Sequence, residues 1–380
     1  MMLKQKSNPK SINLEFVFIF IIFVLSPLEV FLSLGQFGTI SKLIGIVLAI
    51  IFIIRRLKSN KMSFPYESIF LLIFIFISLN SYFWAYYPET AITRSITLFQ
   101  LFILYLITFN TFVNKNENFY NNFYKLIIFS GLVISLYVIR NLFSLNSISK
   151  LTRISIAEEV DLNQLASFLL SPFFLSFHWV LIKSKKYAIF MLPISFAIIL
   201  TQSRAALLVL IITIIIYFFL NGIIKTNLSI RQFILGIILF MIAIWIIPNE
   251  FFYRIIIILT DKNELMRGSG RNLIWKQAWN YFLSNPIGGV GSGNFFILNR
   301  PTHSSLFQII SELGLLGFAS ISSFLLASFR KTINYKTVNV NIECCLVIAL
   351  IGMSLTLDIF YQKYLWIIFG IFAAKKYSYR

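Results

Sequence analysis

The chain has 380 residues, of which 58% are hydrophobic and 12% are charged, and its formal net charge is +19. This composition excludes an ordinary soluble domain, because such a domain cannot bury so much apolar side chain. The lysines and arginines fall mostly between apolar runs, as in membrane proteins whose inner loops are basic. No separate basic soluble region is present, so we expect the lipid bilayer as a partner and no nucleic acid.

About twelve apolar segments approach the roughly 20 residues with which a helix crosses a bilayer. These segments are 14–34, 37–54, 64–84, 91–113, 119–143, 161–182, 187–202, 204–221, 230–248, 304–329, 342–358 and 361–374. They predict an all-α fold, a polytopic integral membrane helical bundle that forms a single membrane domain over residues 1–380. The basic start of the chain precedes the first apolar run without a small-residue cleavage site, so we expect a retained first helix.

The distribution of basic residues predicts the orientation of these helices. If the N-terminus is cytoplasmic, most of the 33 lysines and arginines lie in short cytoplasmic loops, and the C-terminus is cytoplasmic as well. The segment 249–303 is then a large external loop within the membrane domain. Residues 201–204 form a short loop on the same face, so Arg204 is expected there too.

The large loop contains a segment that the sequence predicts to be an interfacial helix. Trp275, Trp279 and Phe282 recur at the spacing of one helical face, and Asn285-Pro286 is expected to end the helix. Arg271 stands at the start of this helix beside a Gly-Ser-Gly turn, where free backbone N–H groups favour an anion. Two interpretations stay open for Arg271: a phosphate-binding corner, or a side chain that reaches lipid phosphate.

Glycines are concentrated in the next segment, 285–294, which lacks the pattern of a nucleotide-binding loop. Glycine permits the close approach of a pyrophosphate or a sugar, and it equally permits a tight irregular turn. Both interpretations stay open at this point.

The chain has two histidines, and their positions indicate different roles. His178 lies inside a predicted span, where we expect a structural residue that is hydrogen-bonded within the bundle. His303 stands at the outer end of a predicted span. Imidazole ordinarily exchanges protons near neutral pH, so His303 is a candidate general base.

Two carboxylates near the external face are candidates for substrate contact. Glu312 lies within the segment 304–329, where structural pairing with a basic residue is the alternative to substrate contact. Asp358 lies near the outer end of the segment 342–358. No set of carboxylates, histidines and cysteines has the spacing of a metal site, so we expect neither a metal ion nor a cofactor.

The sequence around His303 resembles the O-antigen ligases and the related O-antigen and exopolysaccharide polymerases. Members of this superfamily carry a histidine and a small polar residue, then nine residues, then Gly-x-x-Gly or a close variant. Here His303-Ser304 precedes Gly314-Leu315-Leu316-Gly317 at that distance. Thr201-Gln202-Ser203-Arg204 resembles the family's short periplasmic loop, which bears an essential arginine. The residues that resemble its long periplasmic loop are Gly270, Arg271, Trp275, Ala278, Pro286, Gly289, Gly291 and Gly293.

The resemblance implies a metal-independent, inverting glycosyltransferase in the bacterial inner membrane, with its active site on the periplasmic side. Such enzymes transfer a glycan from a polyprenyl (undecaprenyl) pyrophosphate carrier to a lipid or glycan acceptor, such as lipid A-core. It implies that His303 accepts the proton of the acceptor hydroxyl and that Arg204 and Arg271 neutralise the leaving pyrophosphate. Ser304, Gly314 and Gly317 would support the motif.

Ligase is our first interpretation, because the His303 motif fits the ligase pattern at every fixed position. A polymerase that joins lipid-linked repeat units is the alternative. A polysaccharide transporter or flippase is less favoured, because a transporter is expected to carry its charges near the midplane of the membrane. Here the candidate residues gather at one face.

Overall fold

A computed structural model describes residues 13–34, 39–59, 62–144, 160–221, 271–299, 301–330 and 342–378. Within these residues the chain is helical, apart from turns and an isolated β-bridge between Ser33 and Thr39. The α-helices are α1 (Leu14–Leu25), α2 (Ile40–Ser59), α3 (Ser68–Asn80), α4 (Pro88–Phe112), α5 (Glu117–Ser144), α6 (Leu162–Ile182), α7 (Ala188–Leu200), α8 (Arg204–Asn221), α9 (Arg271–Ser284), α10 (Asn294–Leu298), α11 (Ser305–Arg330), α12 (Ile342–Ser354) and α13 (Lys363–Ser378). Short 3-10 helices are Ser26–Leu32, Ser81–Phe83 and Lys185–Tyr187.

The predicted apolar segments coincide with described helices, except for 230–248, which lies outside the described residues. By length and composition, four described helices can cross a membrane: Pro88–Phe112, Glu117–Asn141, Leu162–Ile182 and Ser305–Phe329. The all-α class and the membrane character are thereby confirmed, and the count of twelve spans stays a prediction. The predicted segment 342–358 is too long, because α12 ends at Ser354 and Asp358 lies in the turn that follows.

Helix α13 forms the centre of the bundle, because its sequence is apolar on all sides. Its residues from Tyr364 to Lys376 are buried, as expected for a helix without a polar face. It packs against α4, where Gly370 makes the approach possible. A Cβ atom at Gly370 would come within 2.7 Å of the Thr108 side chain.

Buried ion pairs tie the C-terminal end of α13 to neighbouring elements. Lys376 Nζ lies 3.1 Å from the carboxylate of Glu67, and Lys375 Nζ lies 3.0 Å from that of Glu343. The carbonyls of Ala327 and Ser328 also accept hydrogen bonds from Lys376. The turn before α13, which is hydrogen-bonded to Ser305 at the start of α11, lies at the other end of α13 from these pairs.

Loss of the Glu67 carboxylate is expected to destabilise the fold strongly. In Glu67→Ala the Lys376 ammonium would stay buried without its counter-ion, at a cost of about 3–5 kcal/mol. Thermal unfolding of the purified protein in detergent measures this as a lower midpoint temperature. The control is Glu89→Ala, which removes an exposed carboxylate from the first turn of α4 and should cost less than about 1 kcal/mol. Equal midpoints for the two variants would contradict the assigned importance of the buried pair.

Candidate active site

The turn between α12 and α13 contacts two of the predicted site residues, Arg271 and His303. Arg271, the first residue of α9, donates a hydrogen bond from Nη1 to the carbonyl of Thr356 in this turn, at 3.1 Å. Burial lowers the pKa of Arg271, the charge of nearby Arg204 lowers it further, and Asp161 and Asp358 act in the opposite direction. A guanidinium stays charged at neutral pH despite such a shift. The charge of Arg271 thus interacts with a second cation, Arg204, and with the carboxylates of Asp161 and Asp358.

His303 is fixed by its backbone to the same turn. Its N–H donates to the Asp358 carboxylate at 3.1 Å, and the Thr302 hydroxyl donates to the other carboxylate oxygen at 3.0 Å. The backbone of His303 has φ +49°, the left-handed region that non-glycine residues seldom occupy. A residue persists in this conformation only when its surroundings hold it there, and such residues cluster at functional sites.

Asp358 is the residue that connects His303 to Arg271. Burial raises the pKa of its carboxyl, while the Thr302 hydrogen bond, the charge of His303 and the N–H groups of His303 and Ser304 oppose the rise. The Asp358 charge also acts on Arg271. The sequence suggested Asp358 as a possible substrate contact, and its hydrogen bonds give it a positioning role in addition.

Arg204 begins α8, directly after the short turn at residues 201–203, and its side chain is exposed. Gln202 in this turn has φ +51°, a second left-handed non-glycine residue near the site. The structure brings Arg204 close enough to Arg271 for their charges to interact. Exposure leaves Arg204 accessible to an anion from outside the bundle.

Gly314 interrupts α11 with a backbone that only glycine adopts readily, at φ +59° and ψ −153°. Because of this kink, the N–H groups of Leu315 and Leu316 donate to the carbonyls of Pro286 and Ile287, at 2.8 and 3.2 Å. The kink at the first glycine of the motif therefore docks the segment that contains Pro286 and Ile287 onto α11, which explains the position of this glycine physically.

Gly314→Ala is expected to disrupt this docking. A Cβ atom there would lie 2.5 Å from the Ile287 carbonyl oxygen, in addition to the cost of a left-handed alanine. We expect a loss of at least about 2 kcal/mol in unfolding free energy. Gly45→Ala is the matched control, since nothing lies within 4 Å of a Cβ atom at that helical position. A Gly314→Ala protein as stable as this control would rule out the docking role.

Ser304 and Gly317 also have local structural roles. Ser304 is buried, and at the start of α11 its carbonyl accepts from the N–H of Gln308 at 3.0 Å, as a residue preceding a helix does. A Cβ atom at Gly317 would come within 2.3 Å of the Leu313 side chain. Both residues therefore stabilise the local backbone of the motif.

Glu312 anchors the glycine-rich segment. Its side chain is 3% exposed and accepts hydrogen bonds from the N–H of Gly293 at 2.8 Å and from the Gln308 amide at 3.4 Å. Its backbone carbonyl accepts from the N–H of Gly291 at 2.9 Å. These bonds favour the tight-turn interpretation of the glycines and a structural role for Glu312. Substrate contact by Glu312 is a prediction that these bonds do not favour.

The described part of helix α9 runs from Arg271 to Ser284, and it ends before Asn285-Pro286 as the sequence predicted. Its two tryptophans differ in environment. Trp275 stacks on Phe307 with 5.0 Å between ring centroids and donates to the Thr302 carbonyl at 2.9 Å, whereas Trp279 is 46% exposed. Trp275 therefore faces the bundle and supports the segment next to His303, and only Trp279 is available to a membrane surface.

Sequence reasoning missed two charged residues at this end of the bundle. Arg94 lies 4.7 Å from the centroid of the Tyr361 ring and interacts with the charge of Glu312. Asp161 caps α6 by accepting from the N–H of Asn163 at 2.8 Å, and its charge acts on Arg271. The sequence signal for Arg94 was an ionisable residue near the end of an apolar segment. The signal for Asp161 was an aspartate directly before a predicted helix.

The second histidine has the structural role that was expected of it. His178 Nδ1 lies 2.8 Å from the Tyr217 hydroxyl, within hydrogen-bonding distance. His303 is thus the histidine that this site can use.

These features define a helical membrane protein with a charged cluster at one end of its bundle. Residues 188–322 match the protein family described as O-antigen ligase, which confirms the resemblance found in the sequence. No curated protein matches the chain. Residues 188–322 therefore carry a segment similar to the O-antigen ligase family, in a chain whose described helices include four that are long and apolar enough to cross a membrane. The matched segment contains Arg204, Arg271 and His303, whereas Asp358 lies beyond it.

Proposed function

We propose that this enzyme transfers a glycan from a polyprenyl (undecaprenyl) pyrophosphate carrier to an acceptor hydroxyl, such as one of lipid A-core. The observation that carries the proposal is the cluster around the α12–α13 turn. There Arg271 interacts with Arg204, and Asp358 connects Arg271 with His303. The cluster combines two cations for a diphosphate with one imidazole for a proton.

The reaction that fits this cluster is a single displacement at the anomeric carbon of the sugar. The acceptor oxygen forms a bond to this carbon while the bond to the pyrophosphate oxygen breaks, and His303 accepts the hydroxyl proton. The pyrophosphate leaves with the electron pair, and Arg204 and Arg271 stabilise its increased charge. Displacement from the opposite face inverts the anomeric configuration. Because guanidinium groups serve the leaving group, the proposal requires no metal ion.

We place the cluster on the periplasmic side of the inner membrane, with both termini cytoplasmic. The end of the bundle with the paired lysines of α13 is then cytoplasmic, in agreement with the bias of basic residues toward the inside. The loop 249–303 and the short loop 201–204 would lie together on the periplasmic side. In this arrangement α9 covers the reacting atoms as a lid, and Trp279 faces the headgroup region.

Asp358→Asn tests the link between the turn and the histidine. Thr302 and the His303 N–H donate to different oxygens of Asp358, and the amide replaces one of these oxygens with an NH2 group that cannot accept. One of the two bonds is therefore lost, and kcat should fall about 10- to 100-fold with little change in KM for the donor. A normal kcat, or a loss confined to KM, would remove Asp358 from the positioning of His303.

The same variant has a second readout in stability. Burial raises the pKa of Asp358, so its folded-state value exceeds the unfolded one, which is about 3.9. The contribution of Asp358 to the free energy of unfolding is fully present at pH values below its unfolded-state pKa. This contribution is lost as the pH rises through its folded-state pKa. Asp358→Asn should remove this loss, and its unfolding temperature should therefore fall less than that of the parent protein as the pH rises above about 4.

Glycan transfer by the purified chain in detergent tests the enzymatic proposal against transport. Transport cannot be observed in detergent, because a detergent solution has no separate compartments. Transfer of the glycan to an acceptor should persist there, and a metal chelator should not affect it. Formation of a glycan–acceptor product with inverted anomeric configuration supports the proposal. If the purified chain makes no product from donor and acceptor but moves lipid-linked glycan across a vesicle membrane, the transporter alternative is correct.

A polymerase is the second candidate, because the matched family description and the cluster fit both reactions. The acceptor distinguishes them. A strain that lacks the gene should lose all attached glycan and keep polymer on its carrier if the chain is a ligase. Lipopolysaccharide capped with a single repeat unit in that strain would instead assign the polymerase.

A further inference from the structure

An apolar groove runs between α2 and α4 and ends next to the candidate active site. Its walls are formed by residues such as Ile46, Ile50 and Ile53 of α2 and Leu101 and Leu104 of α4. Ile46, Ile50 and Ile53 are each about half exposed, so the groove is open along one side. From Lys42 to Ile53 it extends along about 16 Å of helix.

The polar end of the groove carries a cation. Lys42 lies there together with Ser41, Thr97, Tyr361 and Lys363. Lys363 is paired with Glu29, which also accepts a hydrogen bond from Ser41 at 2.8 Å. Among the described residues no carboxylate forms an ion pair with Lys42. An unneutralised ammonium at the end of an apolar channel favours a ligand with an anionic head and a hydrocarbon chain.

Tyr361 connects this groove with the charged cluster. It lines the groove, and its ring lies 4.7 Å below the guanidinium of Arg94. Its electrostatic partners include Asp358, three residues earlier, which holds His303. Arg94 and Thr97 follow the same face of α4 as Leu101 and Leu104, so this face leads from the groove directly to Arg94.

We propose that this groove binds the first isoprene units of a polyprenyl pyrophosphate, with Lys42 and Arg94 as additional cations between the polar end of the groove and the diphosphate held at Arg204 and Arg271. This inference rests on the proposed function, and it assigns the carrier chain a binding site. A single chain that continues from a diphosphate held beside Arg271 can enter at Tyr361 and follow the groove along α2 and α4.

Gly45→Phe tests the groove with little risk to the fold. Gly45 lines the groove, and nothing lies within 4 Å of a Cβ atom at this position, so the new ring would fill the channel without a backbone clash. Val47→Phe is the matched control, because Val47 is 45% exposed on the same helix and does not line the groove. The probe is geranylgeranyl pyrophosphate carrying a photoreactive group, and its binding to the purified full chain is measured by native mass spectrometry.

We expect Gly45→Phe to weaken binding of this probe by about tenfold or more, and Val47→Phe to change it by less than about twofold. Cross-links should map to α2 and α4. Lys42→Gln should weaken binding of the pyrophosphate but leave binding of geranylgeraniol, which has no phosphate, unchanged. Equal affinities in Gly45→Phe and Val47→Phe would overturn the assignment. Displacement of the probe by phosphatidylglycerol as efficiently as by unlabelled probe would also overturn it, in favour of a phospholipid site.

The outcome separates this inference from the proposed function. Gly45-dependent binding in a protein that transfers no glycan would support the groove and contradict the proposed reaction. Normal binding and normal transfer in Gly45→Phe would support the reaction and contradict the groove.

Discussion

Replacement of His303 by asparagine is expected to lower the rate of glycan transfer by about 10²- to 10⁴-fold, the contribution usual for a positioned general base. Asparagine is chosen because it tolerates the left-handed backbone that His303 adopts at φ +49°. Its N–H can still donate to Asp358, so the segment before α11 keeps its hydrogen bond while the base is lost. The rate is measured as glycan–acceptor product formed by purified protein in nanodiscs.

His178→Asn is the matched control for this experiment. It removes the other histidine of the chain, which interacts with Tyr217 inside the bundle, and it should leave the transfer rate of the folded protein nearly unchanged. Thermal unfolding of both variants separates a lost base from a lost fold. Near-normal transfer by a folded His303→Asn protein would exclude His303 as the proton acceptor.

Arg271 is expected to contribute through charge, so its replacements should differ. Arg271→Ala should lower the transfer rate by about 10²- to 10³-fold, the loss typical of removing one group that stabilises developing charge. Arg271→Lys should retain partial activity, because an ammonium keeps the charge but loses the two-pronged geometry of the guanidinium. The hydrogen bond from Arg271 to the Thr356 carbonyl indicates that the geometry matters as well.

Lys276→Ala provides the control for a general loss of positive charge. Lys276 is an exposed cation on the same helix, so its removal should change the rate by less than about twofold. Equal and near-normal rates in Arg271→Lys and Arg271→Ala would remove Arg271 from the mechanism.

The membrane class and the helix positions could be predicted from sequence, because apolar runs of sufficient length have few alternatives in a bilayer. The end of α9 before Asn285-Pro286 was also predictable, since a local helix-breaking signal determines it. The motif that contains His303 and Gly314 could be recognised from the number of residues between them.

The physical reason for the Gly314 spacing required the structure. The kink at Gly314 frees N–H groups that donate to the carbonyls of Pro286 and Ile287. These bonded residues are distant in the sequence, so no local sequence pattern predicts the contact. Asp358 was recognised only as a lesser candidate, because its partners Thr302 and His303 lie in another part of the chain.

Arg94 was missed for a similar reason. A single arginine in an apolar segment fits a residue that reaches the membrane surface, and its contact with Tyr361 depends on how α4 packs beside the turn before α13. The inward position of Trp275 likewise depends on Phe307, which the helical period of α9 does not reveal.

We propose that Arg204, Arg271 and His303 act together on one bound diphosphate sugar. The most direct test of this proposal is an electron cryo-microscopy structure of the chain in nanodiscs with a polyprenyl bisphosphonate sugar, whose methylene bridge replaces the bridging pyrophosphate oxygen. We predict that both phosphorus atoms lie between Arg204 and Arg271 and that the anomeric carbon faces the His303 ring. Phosphates bound at the lysine-rich end of α13, or a sugar that is remote from His303, would contradict the account.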